Sequence, residues 1–164
     1  MDTNKLKNIT IGKTYDEKKN SKLIDINWLE RKQQIVFLNE LFLNENLSEP
    51  HSYIKKELTK KLNSYNQQDK TKNIHENTSN FSYDELIIKL VESKLKCYYC
   101  REDIQIIYDK KLQQNQWTLD RINNFQGHTS ENTVISCLKC NIKRGRTNNK
   151  KFLFTKQLII KKKE

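Results

Sequence analysis

Two Cys-x-x-Cys pairs, Cys97/Cys100 and Cys137/Cys140, contain all four cysteines of the 164-residue chain. Thiolate sulfur is a preferred zinc ligand, and two pairs can supply a tetrahedral site with bonds of about 2.3 Å. Such a site has no open coordination position, so the spacing predicts a structural Zn²⁺. Four ordinary buried cysteines are one alternative, which the paired spacing disfavours. An iron–sulfur cluster is another, and nothing else in the sequence indicates electron transfer.

The stretch between the two pairs, "QWTLDRINNFQGHTSEN", combines several groups that could do chemistry. It places Asp120 next to Arg121, and His128 and Asn132 follow in the same segment. A carboxylate oxygen can bind a divalent cation, and a histidine can transfer a proton at neutral pH. The chain has only three histidines and three glycines, so one of each inside the cysteine frame suggests a site.

The elements around this stretch follow from the alternation of apolar and polar residues. Period two predicts a strand over 116–122 and a second short strand over 133–136, with a turn between them. Residues 104–109, "IQIIYD", also read as a strand. A helix is expected to begin just after Cys137.

The segment before Cys97 carries a strong helix-start signal. Ser82 followed by Glu85 forms a capping box, and Phe81 and Leu86 occupy the two positions of a hydrophobic staple. The apolar stripe that follows predicts a helix that supports the cysteine frame.

The rest of the chain divides into an arm and a helical part. Residues 1–22 are polar and aperiodic, which predicts a disordered or loosely packed arm. Residues 23–80 form a predicted helical extension, and residues 81–164 form the zinc-bound domain with a basic C-terminal segment. Within the extension, residues 66–80 have low hydrophobicity and are predicted to form a loop.

Two helices are predicted within that extension. Apolar residues recur every three to four positions over 26–47, with a cap near Asp25 or Asn27, and again over 52–65. Pro50, the only proline of the chain, is expected to mark the break between them.

The distribution of charge indicates a polyanionic partner. The formal net charge is +11, and residues 137–164 carry ten Lys or Arg and one acid. This excess favours binding to nucleic acid, with steep salt dependence. The four candidates for phosphate contacts are Lys139, Lys143, Arg144 and Arg146. A solvated basic tail is the alternative.

The motif "CYYC … WTLDRINNFQGHTSENTVISCLKCNIKRG" resembles the HNH, or His-Me finger, endonucleases of the zinc-knuckle kind. The resemblance covers roughly residues 82–150. It implies an α+β fold: a zinc-stabilised ββα-metal domain, here with an N-terminal helical extension. The ending Lys143-Arg144-Gly145 matches the basic-glycine ending of the family.

The resemblance also implies roles for single residues. Asp120 matches the family's acid, Asn132 its central asparagine and Asn141 its ligand on the helix. Asp120 and Asn141 would then hold a catalytic Mg²⁺ or Mn²⁺, which can bind a phosphate oxygen and the leaving oxygen together. Asn132 is expected to stabilise the turn through backbone hydrogen bonds. Taken singly, Asp120 reads as a strand-end acid paired with a cation, and Asn141 as a helix-start residue.

Arg121 departs from the family pattern, which has a histidine general base at this position. An arginine stays protonated and cannot act as that base. Arg121 could clamp the scissile phosphate while another base acts, with His128 as the candidate ahead of three tyrosines (Tyr98, Tyr99 and Tyr108). Alternatively, water attacks without a protein base, or the site binds nucleic acid without cutting it.

These observations predict a metal-dependent endonuclease that hydrolyses phosphodiester bonds of nucleic acid, DNA in particular. The alternative is a catalytically silent, zinc-bound DNA- or RNA-binding module within a nucleoprotein assembly. A homodimer is a further expectation, since double-strand cutting by single-site nucleases often needs two copies. The chain has no apolar run of membrane-spanning length and no signal-peptide core, so it is expected to be soluble and intracellular.

Overall fold

The structure is a computed structural model that describes residues 24–45, 48–74 and 81–158. Its elements, in chain order, are a 3₁₀ helix (Ile26–Leu29), α1 (Arg31–Phe42), α2 (Glu49–Thr71), α3 (Tyr83–Glu92), β1 (Trp117–Arg121), β2 (Thr133–Cys137), α4 (Leu138–Arg144) and α5 (Asn149–Gln157). The predicted mixture of α and β structure is confirmed. The predicted arm, residues 1–22, lies outside the described residues.

The first helix is shorter than the sequence predicts. Its pattern is interrupted at Glu30, which has an extended backbone and separates the 3₁₀ helix from α1. The Asp25 carboxylate accepts a hydrogen bond from the backbone nitrogen of Asn27 at 2.9 Å, so the cap lies where it was expected. Leu38 and Leu41 are buried on the inner face of α1.

Helix α2 is longer than predicted at both ends. The predicted break lies between Phe42 and Glu49, and Pro50 follows it in the first turn of α2, where no intrahelical N–H bond is lost. The predicted loop over 66–80 is wrong for residues 66–71, which are helical. Tyr65 and Asp69 are buried and four residues apart, so the inner face of the helix continues past residue 65. Residues 75–80 lie outside the described parts.

Helix α3 begins as the sequence predicts. The Ser82 hydroxyl accepts from the Glu85 backbone nitrogen at 3.2 Å, and the Glu85 carboxylate accepts from the Ser82 nitrogen at 2.7 Å. Lys89, on the same helix, donates to the backbone oxygen of Thr133 at 3.0 Å. The helix therefore supports the start of β2 as well as the chain that leads to the first cysteine pair.

The predicted strand over 104–109 does not form. Gln105 makes one isolated bridge with Gln116, and the next two residues pair with a side chain instead of a strand. The fully buried Gln34 of α1 accepts at Oε1 from the backbone nitrogens of Ile106 and Ile107, at 2.8 and 3.1 Å. Its Nε2 donates to the backbone oxygen of Ile107 at 3.1 Å. An amide side chain thus satisfies backbone groups that a neighbouring strand would otherwise bind.

The sheet consists of β1 and β2, paired antiparallel with Trp117 opposite Cys137. The other edge of β1 is covered by side chains of α2. Lys61 donates to the backbone oxygen of Trp117, and the Leu119 backbone nitrogen donates to the Tyr65 hydroxyl at 3.1 Å. Helix α2 therefore takes the place of a third strand and protects the edge.

Lys61 is expected to make the stability of the chain depend on pH. Its ammonium lies 4.5 Å from the Trp117 ring centroid, and burial lowers the pKa of Lys61 to about 7. In the unfolded chain the lysine pKa is about 10.4, so above about pH 7 the unfolded state binds more protons and stability rises with pH. We expect a rise of up to about 1 kcal/mol per pH unit between about pH 7 and pH 10.

A Lys61→Met variant tests this expectation, because it keeps the apolar stem and removes the ammonium. Urea unfolding of both proteins at several pH values above neutrality should show the rise only in the wild type. Equal slopes in the two proteins would rule out Lys61 as the source.

Buried apolar residues of the helices and of the sheet form one core. Leu58 of α2, Leu90 of α3, Trp117 of β1 and Ile135 of β2 all belong to it. The helical part and the cysteine-bearing part therefore pack against each other through this shared core.

None of the described helices combines the length and the apolar character needed to cross a membrane.

Candidate functional site

The four cysteine sulfur atoms lie together, all within 4.8 Å of one another. Cys100 Sγ and Cys137 Sγ are 3.9 Å apart, far beyond the roughly 2.05 Å of a disulfide. Zinc bonds of about 2.3 Å in tetrahedral geometry place sulfur atoms about 3.8 Å apart. The residues therefore form a four-cysteine cluster that is compatible with a structural zinc ion.

Three parts of the chain meet at this cluster. The first pair follows α3, and the Tyr98 backbone nitrogen within it donates to the Ile135 oxygen of β2 at 2.9 Å. The second pair begins α4, where Cys137 is the N-cap and its sulfur accepts from the Cys140 nitrogen at 3.4 Å. An ion at the cluster would hold the turn after α3, the hairpin and α4 in fixed positions.

The electrostatics of the cluster call for a cation. A hydrogen bond with the Cys137 side chain lowers the pKa of Cys97 to about 5. The same hydrogen bond, followed by burial, raises the pKa of Cys137, and burial followed by the Cys97 charge raises the pKa of Cys140 to about 12. The chain alone therefore disfavours the thiolates of Cys137 and Cys140, and Zn²⁺ would supply the compensating charge that lets them form.

Asp120 is 5% exposed and lies in a closed ion pair with Arg144, which is 2% exposed. Arg144 donates from Nη1 to Asp120 Oδ1 at 2.6 Å, and the Tyr99 hydroxyl donates to Oδ2 at 2.6 Å. Burial raises the pKa of Asp120, while Tyr99 and Arg144 act in the opposite direction. Burial also raises the pKa of Tyr99, whose hydroxyl is a donor here and not a base.

The expected Mg²⁺ or Mn²⁺ site at Asp120 and Asn141 does not fit this arrangement. Both carboxylate oxygens already accept hydrogen bonds, and a divalent ion beside Asp120 would be repelled by the Arg144 guanidinium. The Asn141 amide nitrogen donates to Thr118 Oγ1 at 3.1 Å and to the Leu119 oxygen at 3.3 Å. The two side chains come from neighbouring elements, but their role in the structure is to join α4 to β1.

Arg144 was also predicted to contact phosphate, and its burial contradicts that prediction. It lies one turn after Cys140, and these two residues form the buried face of α4. The other three candidates, Lys139, Lys143 and Arg146, are exposed.

Asn132 stabilises the hairpin turn through backbone hydrogen bonds, as the sequence predicts. Its Oδ1 accepts from the Asn123 nitrogen at 2.9 Å, and its Nδ2 donates to the oxygens of Asn123 and Gly127 at 3.0 and 2.9 Å. The side chain is buried, and both ends of its amide are engaged.

His128 is buried against α2, to which no sequence signal had tied it. Its backbone nitrogen donates to Asp69 Oδ2 at 2.5 Å, and its Nδ1 lies 2.8 Å from Asp69 Oδ1. The Tyr65 ring centroid is 4.7 Å from that of His128. Burial lowers the pKa of His128, and Asp69 opposes this effect. The four-residue spacing of Ile54, Leu58 and Leu62, extended to Tyr65 and Asp69, is the signal that could have predicted a longer helix.

Arg121 also faces Asp69. Its Nη1 is 3.8 Å from Asp69 Oδ1 and donates to the Gln126 oxygen at 3.3 Å. Because successive strand residues point to opposite faces, Arg121 lies on the other side of β1 from Asp120. We call Asp69, Arg121 and His128 the Asp69 cluster.

Gly127 permits the close approach that creates the Asp69 cluster. A Cβ at this position would lie 2.9 Å from the Ile74 backbone oxygen and 3.1 Å from Asp69 Oδ2. Since the backbone oxygen cannot rotate away, we expect Gly127→Ala to destabilise the protein by about 1–3 kcal/mol. Urea unfolding measures the loss, with Phe125→Ala on the same turn as the control. A change below about 0.5 kcal/mol would contradict the close approach.

In comparisons with known proteins, no family model, no curated protein and no solved structure matches the chain. The HNH resemblance therefore stays a prediction that rests on the motif residues.

Proposed function

We propose that the chain is a zinc-stabilised endonuclease that hydrolyses phosphodiester bonds of nucleic acid, with DNA as the principal substrate. The observation that carries this proposal is the Asp69 cluster at the end of a hairpin that the cysteine cluster joins to a helix with a basic exposed surface. Zn²⁺ would be held by the four cysteines and would act on structure alone, since four protein ligands leave no open position.

The tip of the hairpin and the end of α4 would form the binding surface. The Asn124 side chain donates to the Gly145 backbone oxygen at 3.2 Å, which brings the tip next to Lys143 and Arg146. Phe125, at the tip, is 88% exposed. Exposed cations bind phosphates and an exposed aromatic ring can stack on a base, so this surface suits a nucleic acid.

The chemistry would use the chain's own side chains. A hydrolase needs one group that holds the phosphate and one that receives the proton of the attacking water. The Arg121 guanidinium is permanently charged and can bind a phosphate oxygen through two N–H groups. No step is assigned to Mg²⁺ or Mn²⁺, because Asp120 and Asn141 do not fit such an ion.

A second candidate is a nucleic-acid-binding module that does not cut, part of a larger nucleoprotein assembly. The hydrogen bonds from Arg144 and Tyr99 to Asp120 favour this candidate, since both carboxylate oxygens are already occupied. Asp120 matches the acid of the HNH motif, and here it is unavailable to a metal or a substrate. The binding surface at the hairpin tip would serve this function equally well.

A plasmid-nicking assay separates the two candidates. Zinc-loaded protein is incubated with supercoiled plasmid in Mg²⁺, in Mn²⁺ and after a chelator has removed free divalent ions. The endonuclease proposal expects nicking by the wild type, and a large loss in Arg121→Ala at unchanged thermal stability. Arg101→Gln, at an exposed arginine outside the Asp69 cluster, is the control. Plasmid binding without nicking under all three conditions would contradict the endonuclease proposal and support the binding module that does not cut.

DNA affinity should depend steeply on salt. Lys143→Ala and Arg146→Ala should each weaken binding and reduce the slope of log K against log salt concentration by about 1. Fluorescence anisotropy with a labelled duplex measures this, and Lys32→Ala, at an exposed lysine of α1, provides the comparison. An unchanged slope in both variants would show that the binding surface does not include Lys143 and Arg146.

A further inference from the structure

We propose that Asp69 orients His128 as the general base of the hydrolysis, so that α2 completes a site whose other parts lie on the hairpin. This inference rests on the proposed endonuclease function. It makes His128 the catalytic residue and Asp69 the positioning residue. The histidine that the HNH resemblance expects at position 121 would thus be replaced by one seven residues later, held by an acid 59 residues earlier in the chain.

The contact with Asp69 fixes the tautomer of His128. A carboxylate only accepts hydrogen bonds, so His128 Nδ1 carries the hydrogen and Nε2 keeps its lone pair. The Tyr65 ring at 4.7 Å and the backbone bond to Asp69 Oδ2 hold the imidazole in place. An imidazole held through Nδ1 by a carboxylate presents Nε2 as a proton acceptor.

Nε2 is available for this task. Among the described residues it has no hydrogen-bond partner, and the side chain that carries it is 5% exposed. His51 provides the contrast within the same molecule. Its Nε2 lies 2.7 Å from Glu40 and its Nδ1 lies 2.7 Å from the Ser48 hydroxyl, so both nitrogens are occupied. His51 therefore has a structural role, whereas His128 has one nitrogen free.

Arg121 completes the arrangement. Its Nη1 approaches the same Asp69 oxygen that His128 binds, at 3.8 Å, so one carboxylate positions both side chains. The guanidinium keeps donors beyond the bond to the Gln126 oxygen, and these can bind a phosphate oxygen.

The reaction step follows from these positions. His128 Nε2 takes a proton from water as the water oxygen forms a bond to phosphorus. The bond between phosphorus and the leaving oxygen breaks, and that oxygen takes a proton from the imidazolium or from solvent. Asp69 stabilises the imidazolium while it exists. No oxidant, reductant or second substrate is required.

The test compares nicking rates of the wild type, His128→Gln and His128→Ala on supercoiled plasmid. Gln keeps a donor for Asp69 without being a base, so this variant should stay folded and lose about 10²- to 10⁴-fold in rate. Added imidazole should restore part of the rate of His128→Ala. His51→Gln is the matched control and should cut at the wild-type rate after correction for its folded fraction.

Asp69→Asn tests the positioning role by two readouts. The rate should fall and the acidic limb of its pH profile should move to lower pH, because the imidazolium loses its counter-ion. Nitrogen NMR of the imidazole should show the Nδ1-protonated tautomer in the wild type and a mixture in the variant.

The outcomes separate the two claims. If the wild type cuts plasmid and folded His128→Gln cuts it equally fast, His128 is not the general base. The endonuclease proposal is unaffected by that result. A wild type that binds plasmid and never cuts it overturns both. An Nε2-protonated tautomer in the wild type removes the role of Asp69 whatever the rates show.

Discussion

Removal of zinc is expected to abolish the cooperative unfolding transition of the chain. Structural zinc sites bind with apparent free energies of about 10–16 kcal/mol, whereas whole domains are stable by about 5–15 kcal/mol. The four cysteines join the turn after α3, β2 and α4, and the core they border is continuous with the helices. Loss of the ion would leave the hairpin without its anchor.

Metal analysis and thermal unfolding by circular dichroism measure this effect. Purified protein should contain one Zn per chain, and a strong chelator should convert the sharp transition into a broad one that added Zn²⁺ restores. Cys100→Ser should behave like chelated protein, while Cys100→His should retain part of the stability, because imidazole is also a zinc ligand. A melting curve unchanged by zinc removal would show that the cysteines act only as buried apolar groups.

The second large effect is expected from breaking the ion pair between Asp120 and Arg144. Asp120→Ala should destabilise the zinc-loaded protein by about 3–5 kcal/mol, because it leaves the arginine charge buried without a partner. The Tyr99 hydroxyl loses its acceptor in the same variant. Urea unfolding at neutral pH gives the free energy.

A double variant, Asp120→Leu with Arg144→Met, is the matched comparison. It removes both charges together, and Arg144 Nε is already buried without a partner among the described residues. We expect the double variant to be more stable than Asp120→Ala, since paired replacement of a buried ion pair is often close to neutral. Equal losses in the single and the double variant would contradict a coupled pair.

This expectation changes how cleavage data on Asp120 should be interpreted. Loss of nicking in Asp120→Ala would combine the loss of stability with any loss of metal ligation, so it would not by itself identify a metal ligand. The double variant separates the loss of stability from the loss of a metal ligand. If it is folded, lacks Asp120 and still nicks DNA, Asp120 is not a catalytic acid.

Features encoded by local spacing could be predicted from the sequence. The cysteine pairs specify a tetrahedral cluster because each pair needs only a short turn, and the Ser82–Glu85 capping box depends on four consecutive residues. The strand, turn, strand and helix order between 116 and 144 also follows from alternation and turn residues. In each case the pattern that carries the prediction spans only a few residues, although the two cysteine pairs are separated by 36 residues.

Features that depend on partners far away in the sequence could not be predicted from it. The segment 104–109 has the composition of a strand but meets Gln34 instead of a neighbouring strand. Arg144 reads as an exposed cation until α4 is placed against Asp120. His128 and Asp69 are 59 residues apart, and the helix that carries Asp69 extends through a stretch whose polarity predicts a loop. Single-sequence patterns report propensity, while these positions are decided by tertiary contact.

The side-chain bonds between α2 and β1 also set the smallest unit that could be transferred between proteins. A recombination event that moved residues 81–158 into another chain would carry every cysteine ligand and the whole hairpin. It would leave behind Lys61 and Tyr65, which cover the edge of β1, and Asp69, which holds His128. The inherited fragment would expose an unprotected strand edge and an unsupported imidazole. The smallest transferable unit therefore includes α2.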